Sequence, residues 1–362
     1  MELFSDFHKK RVFITGHTGF KGSWISIWLA KLGAEVYGYS LPPPTNPSNY
    51  QASGVSDLLV DETVGDVRDD ALLEDALSNA NPDVIFHLAA QPLVRYSYDH
   101  PAETFEINVM GTVNVLEAVR HLDQPVTAII VTSDKCYQNT GQVWGYRECD
   151  AVGGSDPYSA SKGATELVVS SYIDSFFPPE KIEEHGIKVA SVRAGNVIGG
   201  GDWAEDRIIP DAVRAALNRE PVILRNPEAV RPWQHVLEPL SGYLALAQKM
   251  MTANESELCS GWNFGPYPQD TCTVHELIQR FYSDWQDGSI ELSPDVSGKQ
   301  ESFFLKLCIE KAIHQLRWHP RWDLSTTINR TAQWYRAFYD SDESDALNLC
   351  YADIDAYMAG LS

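Results

Sequence analysis

The stretch Arg11-Val-Phe-Ile-Thr15-Gly16-His17-Thr18-Gly19-Phe20-Lys21-Gly22-Ser23 decides the fold of this chain. Its first five residues have the composition of a short buried strand, and residues 21–32 repeat apolar side chains at helical spacing. Glycines at a tight turn between a strand and a helix let the backbone approach a pyrophosphate, and the helix N–H groups point at that anion. The predicted dinucleotide contacts in this turn are Gly16, His17, Thr18, Gly19, Phe20, Lys21 and Gly22.

The glycines are spaced Gly-x-x-Gly-x-x-Gly, which differs from the Gly-x-Gly-x-x-Gly of the commonest dinucleotide-binding fold. A nucleoside-triphosphate loop is excluded because it needs Gly-Lys-Ser/Thr in that order, whereas here Lys21 precedes Gly22. Residues 39–41 hold neither the acid that usually binds the adenosine ribose nor an arginine for a 2′-phosphate. Ser40 is the ribose contact that this stretch offers, and NADP is not indicated.

Strand-like and helix-like segments alternate through the first half of the chain. Further strand-like runs occur at residues 35–39, 83–86, 126–132 and 187–192, with helical patterns between them. This order predicts an α/β fold with a doubly wound, Rossmann-like parallel sheet and right-handed crossovers. After Gly195 the alternation loosens, which predicts a smaller, mostly C-terminal lobe that caps the strand ends.

This change of pattern also predicts the domain organisation. A cofactor-binding domain is expected at residues 1–195, and residues 236–268 are expected to return to it. A substrate-binding lobe is expected at residues 196–235 and 269–340. The remaining residues, 341–362, are acidic and are expected to form a C-terminal tail with no clear partner.

Length and charge limit the classes of function. The chain has 362 residues, enough for two domains, and its 44% hydrophobic content allows a sizeable core. Its net charge of −22 argues against nucleic acid and anionic membranes as partners. An anionic small ligand stays compatible with this charge, because a local cluster of arginines can invert the field in one cleft.

The six cysteines are scattered and none forms Cys-x-x-Cys, so the sequence indicates neither a zinc site nor a disulfide scaffold. Reduced thiols are the default in the cytosol. The N-terminus lacks a signal pattern, and no apolar run approaches the length that spans a bilayer. We therefore expect a soluble cytoplasmic protein without a bound metal ion.

Tyr158 and Lys162 are the strongest catalytic candidates. They are four residues apart in a helical pattern, so they lie one above the other on one helix face. A nearby ammonium favours phenolate, and Lys162 is therefore expected to lower the pKa of Tyr158 until the phenol acts as a base near neutral pH. Both residues are also expected to contact the cofactor, with Lys162 at the nicotinamide ribose.

A second acid–base pair, Asp134 and Lys135, follows a predicted buried strand at the end where open α/β sheets bind ligands. A plain dehydrogenase has no use for this pair, whereas an enzyme that oxidises, eliminates and then reduces needs one. The alternative is a local surface ion pair, which contributes little energy. The position at the strand end favours the catalytic interpretation.

Small residues after the strand-like run at residues 83–86 leave room for a flat cofactor ring. His87, within this strand, is expected to be packed or hydrogen-bonded rather than catalytic. An adenine contact is expected where a third strand would end. The further cofactor contacts predicted in these segments are Asp66, Val67, Leu88, Ala89, Ala90, Gln91 and Thr132.

The glycine turn, the segment Leu88-Ala-Ala-Gln91 and the Tyr158…Lys162 pair together resemble the extended short-chain dehydrogenase/reductase superfamily. Within it the chain resembles the nucleotide-sugar 4,6-dehydratases over nearly its whole length. Ser133-Asp-Lys135 is similar to the branch that acts on CDP-glucose, since dTDP-glucose relatives typically carry Thr-Asp-Glu there. The segments that carry the likeness are Gly16-His-Thr-Gly-Phe-Lys-Gly-Ser-Trp24, Thr132-Ser-Asp-Lys-Cys-Tyr137, Arg193-Ala-Gly-Asn-Val197 and Arg231-Pro-Trp-Gln-His-Val236.

The resemblance implies an NAD-dependent dehydration of CDP-glucose. Tyr158 would take the 4-hydroxyl proton while C4 gives up a hydride, and Ser133 would hydrogen-bond that hydroxyl. The 4-keto group then acidifies the proton at C5. Asp134 suits the acid that protonates the departing 6-hydroxyl, and Lys135 suits the base at C5, where relatives carry Glu. Return of the hydride to C6 leaves no net redox change.

Four residues of the predicted lobe are expected to bind the nucleotide-sugar substrate. Arg207 and Arg231 suit bidentate contacts to a diphosphate. Asn196, just past the sixth strand, can donate to the diphosphate or the sugar. Gln234 is expected to read a group near the substrate together with Trp233, although a plain core role stays open for both.

The predicted helices at residues 104–121 and 159–177 have apolar faces. In resembling proteins these helices pair across a twofold axis into a four-helix bundle, so a homodimer or homotetramer is expected. Two rival functions stay open: a nucleotide-sugar 4-epimerase, which needs the Tyr–Lys pair and NAD alone, and a 4,6-dehydratase for dTDP-glucose or GDP-mannose. A non-catalytic NAD-binding regulator is disfavoured because both members of the Tyr–Lys pair are present.

Overall fold

The structure is a computed structural model that describes residues 4–293, 305–340 and 345–360. The parts of the predicted lobe and tail at residues 294–304, 341–344 and 361–362 lie outside the described residues. The strands are β1 (Arg11–Thr15), β2 (Glu35–Ser40), β3 (Asp61–Val64), β4 (Val84–His87), β5 (Val126–Val131), β6 (Ile187–Ala194), β7 (Val197–Ile198), β8 (Pro221–Leu224), β9 (Val230–Pro232), β10 (Gln234–His235), β11 (Gly261–Phe264), β12 (Thr271–Thr273) and β13 (Ser289–Leu292).

Helices flank the strands along the described chain. They are α1 (Phe20–Lys31), α2 (Asn49–Ala52), α3 (Asp70–Ala80), α4 (Val94–Asp99), α5 (Pro101–Phe105), α6 (Gly111–Arg120), α7 (Pro157–Phe176), α8 (Ile182–His185), α9 (Ile208–Asn218), α10 (Leu237–Thr252), α11 (Val274–Trp285), α12 (Leu324–Asp340) and α13 (Ala346–Ala359). A π-helical segment, Glu106–Met110, joins α5 to α6, so the helix expected at residues 104–121 runs from residue 101 to 120.

Seven parallel strands of the described chain form the central sheet in the order β3-β2-β1-β4-β5-β6-β11. The prediction of a doubly wound parallel α/β sheet is confirmed. The strand order reverses between β1 and β4, and open α/β sheets bind ligands in the crevice at such a point. Strand β11 falls within the segment expected to return to the first domain, and it pairs with β6.

The central strands are apolar because helices cover both of their faces. Every residue of β4 is buried, and so are the first five residues of β5. Large aromatic side chains fill the layers beside the sheet, and Trp24, Trp28 and Trp262 are completely buried. This dense core fixes the carboxyl ends of the strands, where the functional side chains stand.

The chain after β6 adds short paired strands and helices. In the described residues, β7 pairs with β10, β9 with β12, and β8 with β13. Helices α9, α11 and α12 pack around these ladders. Among the described residues, every helix is too short or too polar to cross a bilayer.

The segment after residue 340 departs from the expectation of a tail without a partner. Helix α13 packs on α1 and α12, and Ile354 and Tyr357 lie in the core. The phenol of Tyr357 donates to Glu238 Oε2 over 2.8 Å. The physical reason is a helical apolar face, Ala346, Cys350, Ile354 and Tyr357, which the acidic composition of the segment conceals.

Candidate active site

A cavity of about 2590 Å³ opens at the carboxyl ends of the sheet strands, and both the sheet half and the later lobe contribute to its walls. Pockets for a single small ligand usually measure about 300–1000 Å³, so this cavity has room for two ligands of nucleotide size. Almost all of the residues predicted to be functional line it. The exceptions are His17, Gln91 and Gln234.

The glycine turn joins β1 to α1 as predicted. Gly16 has a φ of +78°, a conformation that favours glycine, and a Cβ there would lie 2.6 Å from the backbone nitrogen of Ala89. A Cβ on Gly22 would collide with the carbonyl oxygen of Gly16. No side chain of the described residues caps α1 at Gly19, which leaves the first helix N–H groups for an anion. The turn therefore fits the pyrophosphate of a dinucleotide.

His17 belongs to the turn, but its side chain does not line the cavity. The ring lies against Gly38, and its Nε2 is 2.9 Å from Glu62 Oε2. Burial lowers the pKa of His17, although the hydrogen bond to Glu62 opposes this shift. These contacts correct the predicted cofactor contact of His17, because its ring faces away from the cavity and holds the turn against the neighbouring strands.

Polar and small residues continue the wall beside the turn. Thr18 Oγ1 and Ser40 Oγ are 2.8 Å apart, and Ser40 stands where an acid would normally bind a ribose. Asp66 also lines the cavity, and its hydrogen bonds with Arg68 lower its pKa. The other predicted cofactor contacts on this wall are Val67, Leu88, Ala89, Ala90 and Thr132.

Gln91 departs from its predicted role. Its backbone N–H donates to Asn108 Oδ1 over 2.8 Å, and its side chain donates to Thr104 Oγ1 over 2.9 Å. Asn108 also donates to Ser161 Oγ, and it sits in the π-helical segment between α5 and α6. Gln91 therefore joins the end of β4 to these helices, which corrects the predicted cofactor contact. His87 is also packed, as expected, with Nδ1 2.7 Å from Thr15 Oγ1.

Ser133, Asp134 and Lys135 form a tight turn after β5. Ser133 Oγ donates to Asp134 Oδ1 over 2.9 Å and accepts the backbone N–H of Lys135 over 3.2 Å. The Asp134 carboxylate is buried, and its Oδ1 lies 3.8 Å from Lys135 Nζ. All three residues line the cavity. The turn thus brings a hydroxyl, a buried carboxylate and an ammonium to one point.

Tyr158 and Lys162 project from the first two turns of α7 into the same cavity. Burial raises the pKa of Tyr158, while the charge of Lys135 and a hydrogen bond with Ser133 oppose that shift. Lys135, rather than the expected Lys162, is the cation that lowers the pKa of Tyr158 most. Lys162 is itself buried, which lowers its pKa to about 8, and Glu166 is the anion that acts on it most.

Glu166 does not line the cavity but contacts Thr132 and acts on Lys162, and the sequence analysis did not identify it. It lies one helical turn beyond Lys162 and accepts hydrogen bonds from Arg193 Nη2 at 2.6 Å, Ser191 Oγ at 2.7 Å and Thr132 Oγ1. These three partners come from β6 and the end of β5, so Glu166 ties α7 to the strands. Glu166 follows Lys162 by four residues, as Lys162 follows Tyr158, so all three side chains lie on one helix face. This spacing could have identified Glu166 from the sequence.

Arg207, Arg231 and Asn196, which are expected to contact the substrate, line the cavity on the lobe side. Arg207 Nη1 donates to Asp202 Oδ2 over 2.9 Å, and this carboxylate raises the pKa of Arg207. Gln234 is completely buried under the lobe, and its amide donates to the carbonyl of Phe264 over 3.3 Å. The predicted substrate contact of Gln234 is corrected to a core role, whereas neighbouring Trp233 does line the cavity.

Further arginines line the cavity, although no sequence motif identifies them. Arg95 Nη1 and Arg225 Nη2 lie 3.3 Å and 2.8 Å from the same oxygen, Asp206 Oδ1. Arg214 lines the wall as well and donates to the carbonyl of Trp203 over 3.0 Å. Arginines are thus concentrated on this wall, among acidic residues that include Asp202, Asp206 and Asp211.

The family model described as GDP-mannose 4,6 dehydratase matches residues 13–331 of the chain. The chain belongs to this dehydratase family. A curated relative, the CDP-glucose 4,6-dehydratase of Salmonella typhimurium, is 48% identical over 350 residues, which cover 97% of this chain and 96% of the relative. The expected membership of the nucleotide-sugar 4,6-dehydratases is thereby confirmed.

Solved structures with the same fold include both dehydratases and epimerases. The dTDP-glucose 4,6-dehydratase DesIV from Streptomyces venezuelae, solved with NAD and TYD bound, has a TM-score of 0.75 and 23% identity, and the match covers 90% of this chain and 96% of DesIV. UDP-glucose 4-epimerase from Thermotoga maritima, solved with UDP-glucose, has a TM-score of 0.72 and 23% identity over 90% of this chain and 98% of the epimerase. These similarities establish the fold. They include both a dehydratase and an epimerase, so the reaction must be inferred from the residues of the site.

Proposed function

We propose that this protein is an NAD-dependent 4,6-dehydratase that converts CDP-D-glucose to CDP-4-dehydro-6-deoxy-D-glucose. The observation that carries the proposal is the 48% identity to a CDP-glucose 4,6-dehydratase along 97% of the chain. The cavity supports it, because one space holds a Tyr–Lys pair for oxidation and an Asp–Lys pair for elimination. The nearest rival, a 4-epimerase, has no use for the second pair.

The residues of the glycine turn, together with Ser40 and the small residues Ala89 and Ala90, would hold NAD along the wall that they line. When bound, NAD accepts a hydride from C4 of the sugar and returns a hydride to C6. Lys162, one helical turn from Tyr158, is suited to hydrogen-bond the nicotinamide ribose. Lys162 is buried on α7 and lines the cavity.

Tyr158 receives the proton of the sugar 4-hydroxyl during the oxidation. Ser133 lies beside the phenol and lowers its pKa, so the Ser133 hydroxyl is in position to contact the 4-hydroxyl as well. Lys135 stabilises the phenolate by its charge, and Arg207 acts in the same direction from the lobe. These contacts support Tyr158 as the base even though burial alone opposes its ionisation.

The elimination uses the turn after β5. Once the 4-keto group has formed, Lys135 takes the C5 proton and Asp134 protonates the 6-hydroxyl, so that C5–H and C6–OH leave as one water. When the hydride returns to C6, Lys135 gives its proton back to C5, and the proton that Tyr158 took from the 4-hydroxyl restores the acid form of Asp134 through solvent. The buried carboxylate and the partly exposed ammonium suit an acid and a base that act on adjacent carbon atoms.

Arg207 and Arg231 are proposed to bind the diphosphate of the substrate, with Asn196 donating to the diphosphate or the sugar. Their support is that all three line the lobe side of the cavity. Arginine suits this task because its planar fork matches two phosphate oxygens. The preference for the cytidine base rests on the similarity to the Salmonella relative alone.

A homodimer or homotetramer is proposed through the helices of residues 101–120 and 157–176. Apolar side chains on these helices are exposed in a single chain: Phe105 by 38%, Met110 by 51%, Leu167 by 62% and Phe176 by 49%. Light scattering at micromolar concentration is expected to give at least a dimer, and a monomer would contradict this. A cytoplasmic location is also proposed, and its support is that all six cysteines are free thiols.

One assay tests the reaction and separates it from its rivals. The purified protein is incubated with CDP-glucose, dTDP-glucose and GDP-mannose in turn, and each product is weighed by mass spectrometry. Loss of one water from CDP-glucose is expected. Water loss from another sugar nucleotide alone would change the substrate, and an isomer of unchanged mass would indicate a 4-epimerase. If none of the three loses water, the dehydratase proposal fails.

A further inference from the structure

Gly195 directly follows β6 and lines the cavity. Its φ is negative, in the range that residues with a side chain adopt, so the course of the backbone does not require glycine at this position. The three atoms that a Cβ on Gly195 would approach most closely all belong to the side chains of Asp134 and Pro232. Neither a turn nor a close approach of two backbones therefore explains the missing side chain.

The gap beside Gly195 is bounded by the carboxylate of Asp134. A Cβ at residue 195 would lie 3.3 Å from Asp134 Oδ2 and 3.7 Å from Pro232 Cγ. The first distance is shorter than the usual contacts of a Cβ atom, so a methyl group would crowd Oδ2. Because glycine has no Cβ, Oδ2 keeps room on this side for an atom of a ligand.

The two oxygen atoms of Asp134 have different surroundings. Oδ1 accepts the hydroxyl of Ser133 over 2.9 Å and lies 3.8 Å from Lys135 Nζ. Oδ2 accepts no hydrogen bond from the described residues, and it is the oxygen nearest to the open side of Gly195. An acid must lie within hydrogen-bond reach of the group that it protonates. Oδ2 is thus the oxygen suited to protonate the departing 6-hydroxyl.

The backbone on both sides of Gly195 is held in place. Ala194, before it, pairs with Phe264 in the ladder of β6 and β11. Asn196, after it, accepts the backbone N–H of Gln234 over 3.1 Å. These contacts oppose a retreat of the backbone, so a side chain added at residue 195 would occupy the gap beside the carboxylate.

The elimination requires the C6–O bond of the sugar to lie beside the acid. We propose that the missing side chain of Gly195 forms the pocket for the C6 hydroxymethyl group, which makes Gly195 a specificity-determining residue for sugars that carry C6; this inference rests on the proposed function. In this pocket the 6-hydroxyl meets Asp134 Oδ2. As the C6–O bond breaks, the Oδ2 proton joins the departing oxygen, and the electrons of the C5–H bond form the C5–C6 double bond while Lys135 takes the proton.

The test compares two ligands that differ at C6 alone. CDP-xylose matches CDP-glucose except that a hydrogen replaces the hydroxymethyl group at C5. Calorimetry measures the binding of each ligand to NAD-loaded Tyr158→Phe, which lacks the base for the oxidation, with and without Gly195→Ala. The alanine is expected to weaken binding of CDP-glucose about tenfold, the usual effect of one methylene group in a closed pocket. Binding of CDP-xylose is expected to stay within about twofold.

Gly265→Ala is the matched control, because a Cβ on Gly265 would have no neighbour closer than 3.6 Å. It should change neither affinity. An unchanged affinity of Gly195→Ala for CDP-glucose overturns the inference. Equal weakening of both ligands, or a lower melting temperature that shows an unfolded protein, also overturns it, since the glycine would then serve the fold. A Tyr158→Phe protein that binds neither ligand would instead contradict the proposed function.

Discussion

The ammonium of Lys135 lies 3.8 Å from the carboxylate of Asp134 at the carboxyl end of β5. The side chain of Asp134 is 3% exposed and that of Lys135 is 28% exposed. An ion pair that served only the surface would not need to remove its carboxylate from water, because burial of a charge is costly. The geometry favours a pair whose two members face one substrate.

Asp134→Asn is expected to separate oxidation from elimination. The amide keeps the shape of the carboxyl but cannot deliver a proton to the departing 6-hydroxyl, so elimination falls by about 10²–10⁴-fold. Oxidation at C4 continues, since Tyr158 is unchanged. In a single turnover with CDP-glucose, the absorbance of reduced nicotinamide should rise and persist, and the dehydrated product should be missing. A variant that eliminates at the wild-type rate would remove Asp134 from its assigned role.

Two substitutions of Lys135 distinguish a base from a charge that only steers Asp134. Arginine keeps the positive charge but stays protonated at neutral pH, whereas methionine removes the charge and keeps the length. If Lys135 is the base at C5, both variants lose exchange of the C5 proton with solvent deuterium by about 10²-fold or more. Retention of the exchange in Lys135→Arg would show that the charge alone is needed.

The sheet and the turn were predictable because their signals are local. The run from Arg11 to Thr15, the three glycines that follow it and the apolar strand before Ser133 each specify a short element in a known order. The topology rules for parallel sheets then place Tyr158 and Asp134 at one edge without any long-range information. The meeting of these two residues at one edge of the sheet could therefore be predicted from the sequence.

The missed and misplaced residues depend on contacts between distant segments. Gln234 follows Arg231 closely in sequence, yet it turns into the core because Phe264 on β11 offers a carbonyl. Arg95 and Arg225 meet at Asp206, although 130 residues or so separate the two arginines in the chain. No spacing pattern in the sequence indicates contacts between residues so far apart. The residues that line the lobe side of the cavity could therefore not be predicted before the fold was known.

Glu166→Gln is expected to destabilise the fold strongly. It leaves the guanidinium of Arg193 buried without its carboxylate, now 2.6 Å away, and such a loss costs about 3–5 kcal/mol. Urea unfolding measures the effect. Asp340→Asn breaks an exposed pair with Arg336 at 3.9 Å and serves as the control, with an expected change within about 0.5 kcal/mol.

The double substitution Glu166→Gln with Arg193→Met should recover part of that stability, because it removes the unpaired charge as well as its partner. A single variant as stable as the wild-type protein would show that the pair adds nothing to folding. Enzymatic activity should be measured separately from stability. Glu166 also accepts a hydrogen bond from Thr132, which directly precedes the turn of Ser133, Asp134 and Lys135.

Glu238 makes the stability of the fold depend on pH. It is completely buried beneath α13, and burial raises its pKa from an ordinary 4.5 to about 7. A carboxyl with a folded pKa above its unfolded value contributes stability below the unfolded pKa, and this contribution is lost as the pH rises through the folded pKa. The free energy of unfolding should therefore fall between about pH 4.5 and pH 7, by on the order of 3 kcal/mol from this group.

Glu238→Gln mimics the protonated carboxyl at every pH and should flatten this part of the profile. Urea unfolding at a series of pH values measures the slope, and Glu255→Gln, which alters an exposed pair with Lys249, should leave it unchanged. Asp353, whose pKa burial raises to about 7 as well, contributes the slope that persists in Glu238→Gln. A profile as steep in Glu238→Gln as in the wild-type protein would mean that Glu238 stays ionised beneath α13, held by the N–H groups of Arg321 and Trp322.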